Sequence, residues 1–299
     1  MTQFLKRDIR KRLIRISIIA VGALAGFPVL LFILQRRMVY FPRRYEPSYK
    51  IELPIGAVEI PYGTSAGEQV CFYIPPSEHP DKPPARLWVL FGGNAALALD
   101  WLDFIDRYPD RRHGFLLIDY PGYGLCKGRA TMKTIGESSE AAFSALGMRL
   151  GVKMEALEGD LGVMGHSLGA ATGLQFAVRH PVKHIVLASP FTSLMDMARR
   201  SVGRPLCYIL IDRFDNRARL NELILRPDPP AIHIFHGDAD GIVPFEMGRE
   251  LAESHKGKIV FHPYAGTDHN LILDVAEDEM HRVMSESSEK AAGGEKQRP

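Results

Sequence analysis

Residues 163–173 read VMGHSLGAATG, which places one serine in a glycine-rich run. The apolar stretch DLGVM leads into this run, and the small-residue stretch LGAATGLQFAV follows the serine. Gly165, Ser167 and Gly169 fit the pattern G-x-S-x-G, in which the serine occupies a sharp turn between a strand and a helix. Larger side chains at the two glycine positions would collide with neighbouring backbone in such a turn. The stretch therefore predicts a strand, a tight turn and a helix, with Ser167 as a candidate nucleophile.

The chain on both sides of this turn alternates strand-like and helix-like segments. Short apolar runs that end in turn residues are typical of buried parallel strands, and here they read RLWVLFGG, GFLLIDY, DLGVMG, HIVLAS, AIHIFHG and KIVFHPY. Helical stretches such as ESSEAAFSALGMRLG separate them, and VEIPYG and QVCFYIP add an opening pair of strands. The alternation predicts an α/β domain over residues 38–286, built on a doubly wound, mostly parallel sheet.

One long insert interrupts this alternation between HIVLAS and AIHIFHG. At about residues 190–229, it is longer than a single crossover helix requires. We expect it to form a small helical cap over the end of the sheet, with Met195, Met197, Leu206 and Tyr208 as candidate lid contacts. The polar residues 287–299 predict a disordered tail.

The N-terminal region predicts a membrane anchor. Residues 16–34 read ISIIAVGALAGFPVLLFIL and contain no charged side chain. A helix of this length spans roughly 28 Å, close to the thickness of a hydrocarbon core. A cleaved signal peptide is the alternative, but its apolar core is shorter and a small-x-small cleavage site follows it. We therefore expect residues 1–37 to form a basic flank and one transmembrane helix.

The basic residues around this run give a weak indication of orientation. The residues before it are Lys6, Arg7, Arg10, Lys11, Arg12 and Arg15, and those after it are Arg36, Arg37, Arg43 and Arg44. The excess on the N-terminal side favours a cytoplasmic N-terminus. The catalytic domain of a bacterial single-pass protein would then lie outside the cytoplasm.

Composition excludes several other classes of protein. The 299 residues carry a formal net charge of +2, and a nucleic-acid-binding surface usually requires a clustered basic excess. The three cysteines, Cys71, Cys126 and Cys207, are odd in number and widely spaced. They predict neither a disulfide framework nor a zinc or redox site.

A serine hydroxyl becomes a good nucleophile only when a base takes its proton and a third group orients that base. The segment AIHIFHGDADGIVP ends one strand with Asp238 and Asp240, and KIVFHPYAGTDHN leads from the next strand to His269. This order favours His269 as the base and Asp240 as the acid, with Asp238 as a turn residue. A metal site at His236, Asp238 and Asp240 is the weaker alternative.

Two neighbouring histidines receive structural roles in this interpretation. His166, beside the serine, would shape the turn, and His233 and His236 would pack in or at the end of their strand.

The negative charge that develops on a substrate carbonyl requires preorganised hydrogen-bond donors. One is expected to be the backbone N–H of Leu168, the residue after the serine. The other should come from the glycine-rich loop after RLWVLF, which contains Gly92, Gly93, Asn94 and Ala95.

With these residues in place, the chain resembles the α/β-hydrolase superfamily. It looks most like the single-pass, membrane-anchored branch that includes bacterial inner-membrane hydrolases, eukaryotic protein depalmitoylases and lysophospholipid lipases. The shared motifs run from about residue 38 to residue 280, in the order VYFP, GGNA, IDYPGYG, GHSLGA, SPFTSL, HGDADGIVP and GTDHN. The resemblance implies the α/β-hydrolase fold. It also implies Ser167 as nucleophile, Asp240 as acid, His269 as base, and the N–H groups of Asn94 and Leu168 as oxyanion hole.

The resemblance also concerns two further loops. The loop 119–124 would line the pocket, with Pro121 and Tyr123 as walls. Relatives usually carry His-Gly before the oxyanion asparagine, whereas this chain has Gly92-Gly93. The hole survives this difference because its donor is a backbone group.

These observations predict a membrane-anchored serine hydrolase that cleaves carboxylic ester or thioester bonds through an acyl-enzyme. It would need no metal and no organic cofactor. Its substrate would be a lipid or other acyl compound, because the anchor would hold the pocket close to the bilayer. A peptidase of the same fold and a non-catalytic, membrane-anchored interaction protein are the alternatives. Acyl-chain length, physiological substrate and oligomeric state do not follow from the sequence.

Overall fold

The computed structural model describes residues 2–46 and 52–286, but not the side chains of residues 2–6, 8–10 and 18–25. The predicted tail, residues 287–299, lies outside the described residues. The strands are β1 (Val58–Thr64), β2 (Gly67–Ile74), β3 (Arg86–Phe91), β4 (His113–Ile118), β5 (Leu161–His166), β6 (His184–Ala188), β7 (Ala231–Gly237) and β8 (Ile259–Tyr264). The helices are α1 (Thr2–Val39), α2 (Leu102–Asp106), α3 (Met132–Leu150), α4 (Met154–Glu158), α5 (Leu168–Ala177), α6 (Leu194–Val202), α7 (Asn216–Ile224), α8 (Phe245–Glu253), α9 (Ile272–Val275) and α10 (Glu277–Ser285). Short 3-10 helices cover Ala98–Trp101 and Leu206–Ile209.

All of these strands belong to one sheet with the order β1-β2-β4-β3-β5-β6-β7-β8. β2 pairs antiparallel with β1 and with β4, whereas the other neighbouring pairs are parallel. The prediction of a mostly parallel α/β sheet is confirmed. Because parallel strands end at the same edge of the sheet, the turns that follow β3, β5, β7 and β8 gather at that edge.

The side chains of the central strand β3 alternate between two apolar layers. Leu87, Val89 and Phe91 pack on one face of the sheet, together with residues of α3, α5, α7 and α8. Trp88 and Leu90 pack on the other face, together with residues of α2 and α10. All five side chains are at most 1% exposed. A strand covered on both faces explains why the sequence RLWVLF is apolar without interruption.

The insert at about residues 190–229 holds two kinds of helix. α7 carries the buried residues Leu220 and Leu223, which pack in the same apolar layer as α5. α6 has no fully buried residue, and with the 3-10 helix Leu206–Ile209 it borders the pocket described below. The insert therefore adds one helix to the layer on the sheet and a second helical piece above the sheet edge.

α1 is a single helix of 38 residues that ends at Val39. Among the described residues, no helix combines the length and the apolar character that crossing a bilayer requires. This finding does not fit the single-pass anchor predicted for residues 1–37, of which the side chains at 18–25 are outside the described set. The C-terminal end of α1 is held against the domain: Gln35 is 8% exposed, and its side chain hydrogen-bonds the backbone of Ile209 and Ile211.

Two glycines in strands provide a matched test of packing on the sheet. A Cβ added to Gly162 in β5 would lie 2.6 Å from the ring of the fully buried Trp88, whereas one added to Gly63 in β1 would meet no atom within 4 Å. We expect Gly162→Ala to lower the free energy of unfolding by about 1–3 kcal/mol, because the overpacked core must shift. Gly63→Ala should leave it unchanged or slightly raised. Urea denaturation measures both, and equal stability of the two variants would contradict this packing.

Candidate active site

The turn between β5 and α5 is sharp and strained. Ser167, which directly precedes the first residue of α5, has φ 55° and ψ −114°. A Cβ on Gly165 would lie 2.2 Å from the carbonyl oxygen of Gly169, and one on Gly169 would lie 2.0 Å from that of Phe91. Both positions therefore require glycine. The N–H of Ser167 donates to the carbonyl oxygen of Ala188 at 2.8 Å, which holds the turn against the end of β6.

The structure brings together the two other residues that the sequence selected. Nδ1 of His269, on the loop after β8, lies 2.6 Å from Oδ2 of Asp240, on the loop after β7. The other carboxylate oxygen of Asp240 accepts hydrogen bonds from the N–H groups of Ile242 at 2.9 Å and Val243 at 2.8 Å. The Asp240 side chain is fully buried, and that of His269 is 7% exposed. A short bond to a buried carboxylate fixes the orientation of the imidazole ring.

Asp238 has a different role in the same loop. Its Oδ1 accepts a hydrogen bond from the N–H of Gly266 at 2.6 Å, and the residue is exposed. This bond ties the loop after β7 to the loop after β8, in keeping with a turn-forming aspartate. Within the described part of the chain, no group of three or more His, Cys, Asp or Glu side chains has the arrangement needed to hold a metal ion.

His236, which the sequence interpretation assigned to packing, contacts the Asp240 carboxylate. Its Nε2 lies 3.2 Å from Oδ2 of Asp240 and 3.1 Å from the carbonyl oxygen of Val243, and its side chain is fully buried. Burial raises the pKa of Asp240, but hydrogen bonds from His236, His269 and Ile242 outweigh it and hold this pKa well below its ordinary value. The sequence signal for this contact was a histidine near the end of β7, four residues before the aspartate.

His166 links the serine to His269. Its Nε2 lies 2.8 Å from the carbonyl oxygen of His269, and the centroids of the two imidazole rings are 4.7 Å apart. Burial, reinforced by the neighbouring His269, lowers the pKa of His166 to about 4. His166 is therefore neutral near pH 7, and its Nε2–H donates to that carbonyl group. The residue next to Ser167 thus holds the backbone of the loop that carries His269.

The two predicted oxyanion donors lie at the same site as the serine. Asn94, Ser167 and Leu168 line one pocket. Leu168 is the first residue of α5, so its N–H has no acceptor within the helix. On the loop after β3, Ala95 has a φ of 64°, a strained conformation for a residue with a Cβ. Gly93 packs against His166, since a Cβ there would lie 2.7 Å from Nδ1 of that histidine.

The pocket at Ser167 has a volume of about 300 Å³ and is lined mostly by apolar side chains. α1 forms one wall, with Leu31, Met38 and Phe41 on or just after its last turns. The insert forms another, in which Met197 and Leu206 take part as the sequence suggested. The other two candidate lid residues, Met195 and Tyr208, do not line the pocket, and Tyr208 is 52% exposed. The wall from α1 was missed in the sequence, where the segment VYFP was the only signal.

The loop 119–124 does not line this pocket in the described structure, which corrects the expectation for Pro121 and Tyr123. Instead, its side chains hydrogen-bond the loop after β3. The hydroxyl of Tyr123 donates to Oδ1 of Asn94 at 3.0 Å, and Oδ1 of Asp119 accepts from the N–H of Ala98 at 2.8 Å. Burial raises the pKa of Asp119 to about 6.

The buried Asp240 carboxylate should make stability depend on pH. Its pKa in the folded chain is lower than the value near 4 of an unfolded aspartate. Its stabilising contribution is therefore present above about pH 4 and is lost as the pH falls below that value. We expect Asp240→Asn to lower the free energy of unfolding at pH 7 by roughly 3 kcal/mol. The variant should also lose less stability than the wild type between about pH 5 and pH 3.

Chemical denaturation at a series of pH values measures both effects. Asp238→Asn is the matched control, because it neutralises an exposed carboxylate of the same loop. A pH dependence that is the same in Asp240→Asn and in the wild type would show that the Asp240 contacts do not stabilise its charged form.

Comparison with known proteins gives distant relatives. No protein-family model matches this chain. An uncharacterized protein of Mycobacterium tuberculosis is 29% identical over 295 residues, which cover 93% of this chain and 98% of that protein. Alpha/beta hydrolase domain-containing protein 17B of Homo sapiens is 26% identical over 193 residues, which cover 64% of this chain and 61% of that protein.

Solved structures give a closer match in architecture than in sequence. An esterase of Pyrococcus furiosus aligns with a TM-score of 0.58 at 14% identity, covering 82% of this chain and 94% of that one. Carboxylesterase CesB of Bacillus subtilis aligns with a TM-score of 0.54 at 17% identity, covering 78% and 92%. Together with the sheet order, these alignments show that the chain has the α/β-hydrolase fold.

Proposed function

We propose that this chain is a serine hydrolase that cleaves carboxylic ester or thioester bonds. Ser167 is the nucleophile, His269 the general base and Asp240 the residue that orients it. The observation that carries the proposal is the 2.6 Å contact between Nδ1 of His269 and the buried Asp240 carboxylate. It leaves Nε2 as the nitrogen available to the serine, whose neighbour His166 packs against the same imidazole ring.

In the first half-reaction, Oγ of Ser167 attacks the substrate carbonyl carbon while Nε2 of His269 takes the hydroxyl proton. The buried Asp240 carboxylate stabilises the imidazolium that forms. The N–H groups of Leu168 and Asn94 bind the negative oxygen of the tetrahedral intermediate. His269 then gives its proton to the leaving alkoxide or thiolate, and an acyl-serine remains.

In the second half-reaction, His269 removes a proton from a water molecule that attacks the acyl-serine carbonyl. The second tetrahedral intermediate uses the same two N–H donors. When it collapses, Oγ of Ser167 leaves as the hydroxyl by taking the proton back from His269. The products are a carboxylic acid and the free enzyme, so no metal or organic cofactor takes part in this proposal.

The pocket favours substrates with an apolar acyl group. Leu31, Met38, Met197 and Leu206 bring aliphatic surface to the same cavity as Ser167, and such surface binds a hydrocarbon chain by excluding water from it. Two solved structures of the same fold are named as an esterase and a carboxylesterase. Their names support ester hydrolysis as the reaction class.

Labelling with a fluorophosphonate tests the nucleophile. The wild-type protein should be labelled, and Ser167→Ala should not, because the acceptor oxygen is gone. Ester hydrolysis by Ser167→Ala should fall at least about 10⁴-fold.

Ser189→Ala is the matched control, since Ser189 also follows a strand, is buried and has a positive φ of 47°. It should be labelled like the wild type. Equal labelling of Ser167→Ala, or a folded wild-type protein that does not react, would refute the mechanism.

The shape of the pocket predicts a preference for longer acyl groups. Each additional buried methylene contributes about 0.8 kcal/mol, so kcat/KM for p-nitrophenyl esters should rise severalfold per step from acetate toward octanoate. Met197→Trp fills part of the cavity and should reverse the preference toward acetate. Met195→Trp, two positions away on α6 and not part of the lining, should keep it.

The same assay includes an aminoacyl p-nitroanilide to separate the ester hydrolase from a peptidase. Faster cleavage of the anilide than of any ester would contradict the proposed reaction class. A chain-length profile that Met197→Trp does not alter would contradict the assignment of this cavity as the acyl site.

A further inference from the structure

The side chain of Asn94 is bonded to the segment that follows α1. Its Nδ2 donates to the carbonyl oxygen of Val39 at 2.8 Å, and its Oδ1 accepts from the N–H of Phe41 at 2.8 Å. These two bonds flank Tyr40, whose side chain is 5% exposed. The hydroxyl of Tyr123 donates to the same Oδ1 at 3.0 Å. The amide therefore uses three of its four hydrogen-bonding positions to hold the end of α1 and the loop 119–124 together.

The end of α1 is fixed to the domain at other points as well. Oε1 of Gln35 accepts from the N–H of Ile211 at 2.7 Å, and Nε2 donates to the carbonyl oxygen of Ile209 at 3.2 Å. Arg36 pairs with Asp212 at 3.2 Å, and the Asp212 side chain is only 9% exposed. The segment is thus a fixed support for Asn94.

The backbone of the loop after β3 is strained directly after Asn94. Ala95, next to Asn94, has a φ of 64°, and such a conformation persists only where surrounding contacts impose it. The contacts come again from the segment after α1, since Nη1 of Arg43 donates to the carbonyl oxygen of Ala95 at 3.2 Å. The N–H of Ala96 closes the turn on the carbonyl oxygen of Gly93 at 3.1 Å.

We propose that Asn94 is a positioning residue. Its side-chain amide binds the main chain at Val39 and Phe41 and thereby holds the loop after β3, which carries the proposed oxyanion donor, in its reactive geometry. The inference rests on the proposed function, because it concerns the loop whose N–H binds the oxyanion. It gives a role to VYFP and IDYPGYG, two motifs that the catalytic residues alone leave without one, and it adds a side-chain role to GGNA. VYFP supplies the main-chain groups, GGNA supplies the amide, and IDYPGYG supplies Tyr123.

The positioning role of the Asn94 side chain predicts a distinct effect on kcat and KM. A donor that is displaced by a fraction of an ångström binds the ground-state carbonyl about as well as before but binds the developing oxyanion poorly. Loss of the Asn94 amide should therefore lower kcat and leave KM nearly unchanged. Met38→Ala, which enlarges the neighbouring wall of the acyl pocket, should instead raise KM for the octanoyl ester.

The experiment compares Asn94→Ala and Asn94→Asp with the wild type on p-nitrophenyl octanoate. We expect Asn94→Ala to lower kcat about tenfold to hundredfold, with KM within about threefold. Asn94→Asp retains the acceptor for Phe41 and Tyr123 but loses the donor to Val39. Its kcat should therefore lie between that of the wild type and that of Asn94→Ala. Gln69→Ala is the control for loss of a buried amide, because Gln69 is fully buried on β2 and binds the carbonyl groups of Gly67 and Lys127. It should lower Tm without lowering kcat.

Hydrogen exchange provides a readout that does not depend on catalysis. In Asn94→Ala, the amide of Ala96 should exchange faster than in the wild type and in Gln69→Ala. Wild-type kcat together with unchanged exchange at Ala96 in Asn94→Ala would overturn the inference while leaving the proposed function intact. A wild-type protein that is inert to fluorophosphonate would overturn the proposed function, and the exchange result would still decide whether the amide holds the loop.

Discussion

The close approach of the turn after β5 to the end of β3 is the constraint on which the site depends. The carbonyl oxygen of Phe91 occupies the space that a Cβ of Gly169 would need, at 2.0 Å. Because the backbones meet there, α5 begins directly beside the loop that leaves β3. One packing contact thus sets the candidate nucleophile and the loop after β3 side by side.

A buried carboxylate organises the other half of the site. An ionised aspartate is costly to bury unless its oxygens are paired and hydrogen-bonded, and Asp240 has two imidazoles and two backbone N–H groups for this purpose. His269 is held twice, at Nδ1 by this carboxylate and at its own carbonyl group by His166. In the proposed mechanism, rigid placement of this kind would remove the entropic cost of orienting the base at each turnover.

Local patterns were sufficient to predict the sheet and the sites of the strand-end loops. Uninterrupted apolar runs such as RLWVLF follow from burial on both faces, and the spacing of Gly165 and Gly169 follows from the close backbone contact. The contact of His236 with Asp240 was not predicted, because an alternating position on a strand gives the face of a side chain but not its partner. The pocket wall formed by α1 escaped prediction for a related reason. Leu31 and Phe41 are distant in sequence from Ser167, and no periodicity reports which segments meet across the end of a sheet.

The hydrogen bonds of Asn94 bear on whether α1 can be separated from the rest of the domain or exchanged during evolution. A helix joined to a domain by a passive linker is an exchangeable module, but Val39 and Phe41 give their main-chain groups to the loop after β3. A foreign helix grafted before residue 38 would have to reproduce the direction in which α1 delivers these groups. Residues 38–42 and residue 94 are therefore expected to vary together among related proteins. The end of α1 would then be conserved together with the loop after β3, and not exchanged independently as a targeting segment is.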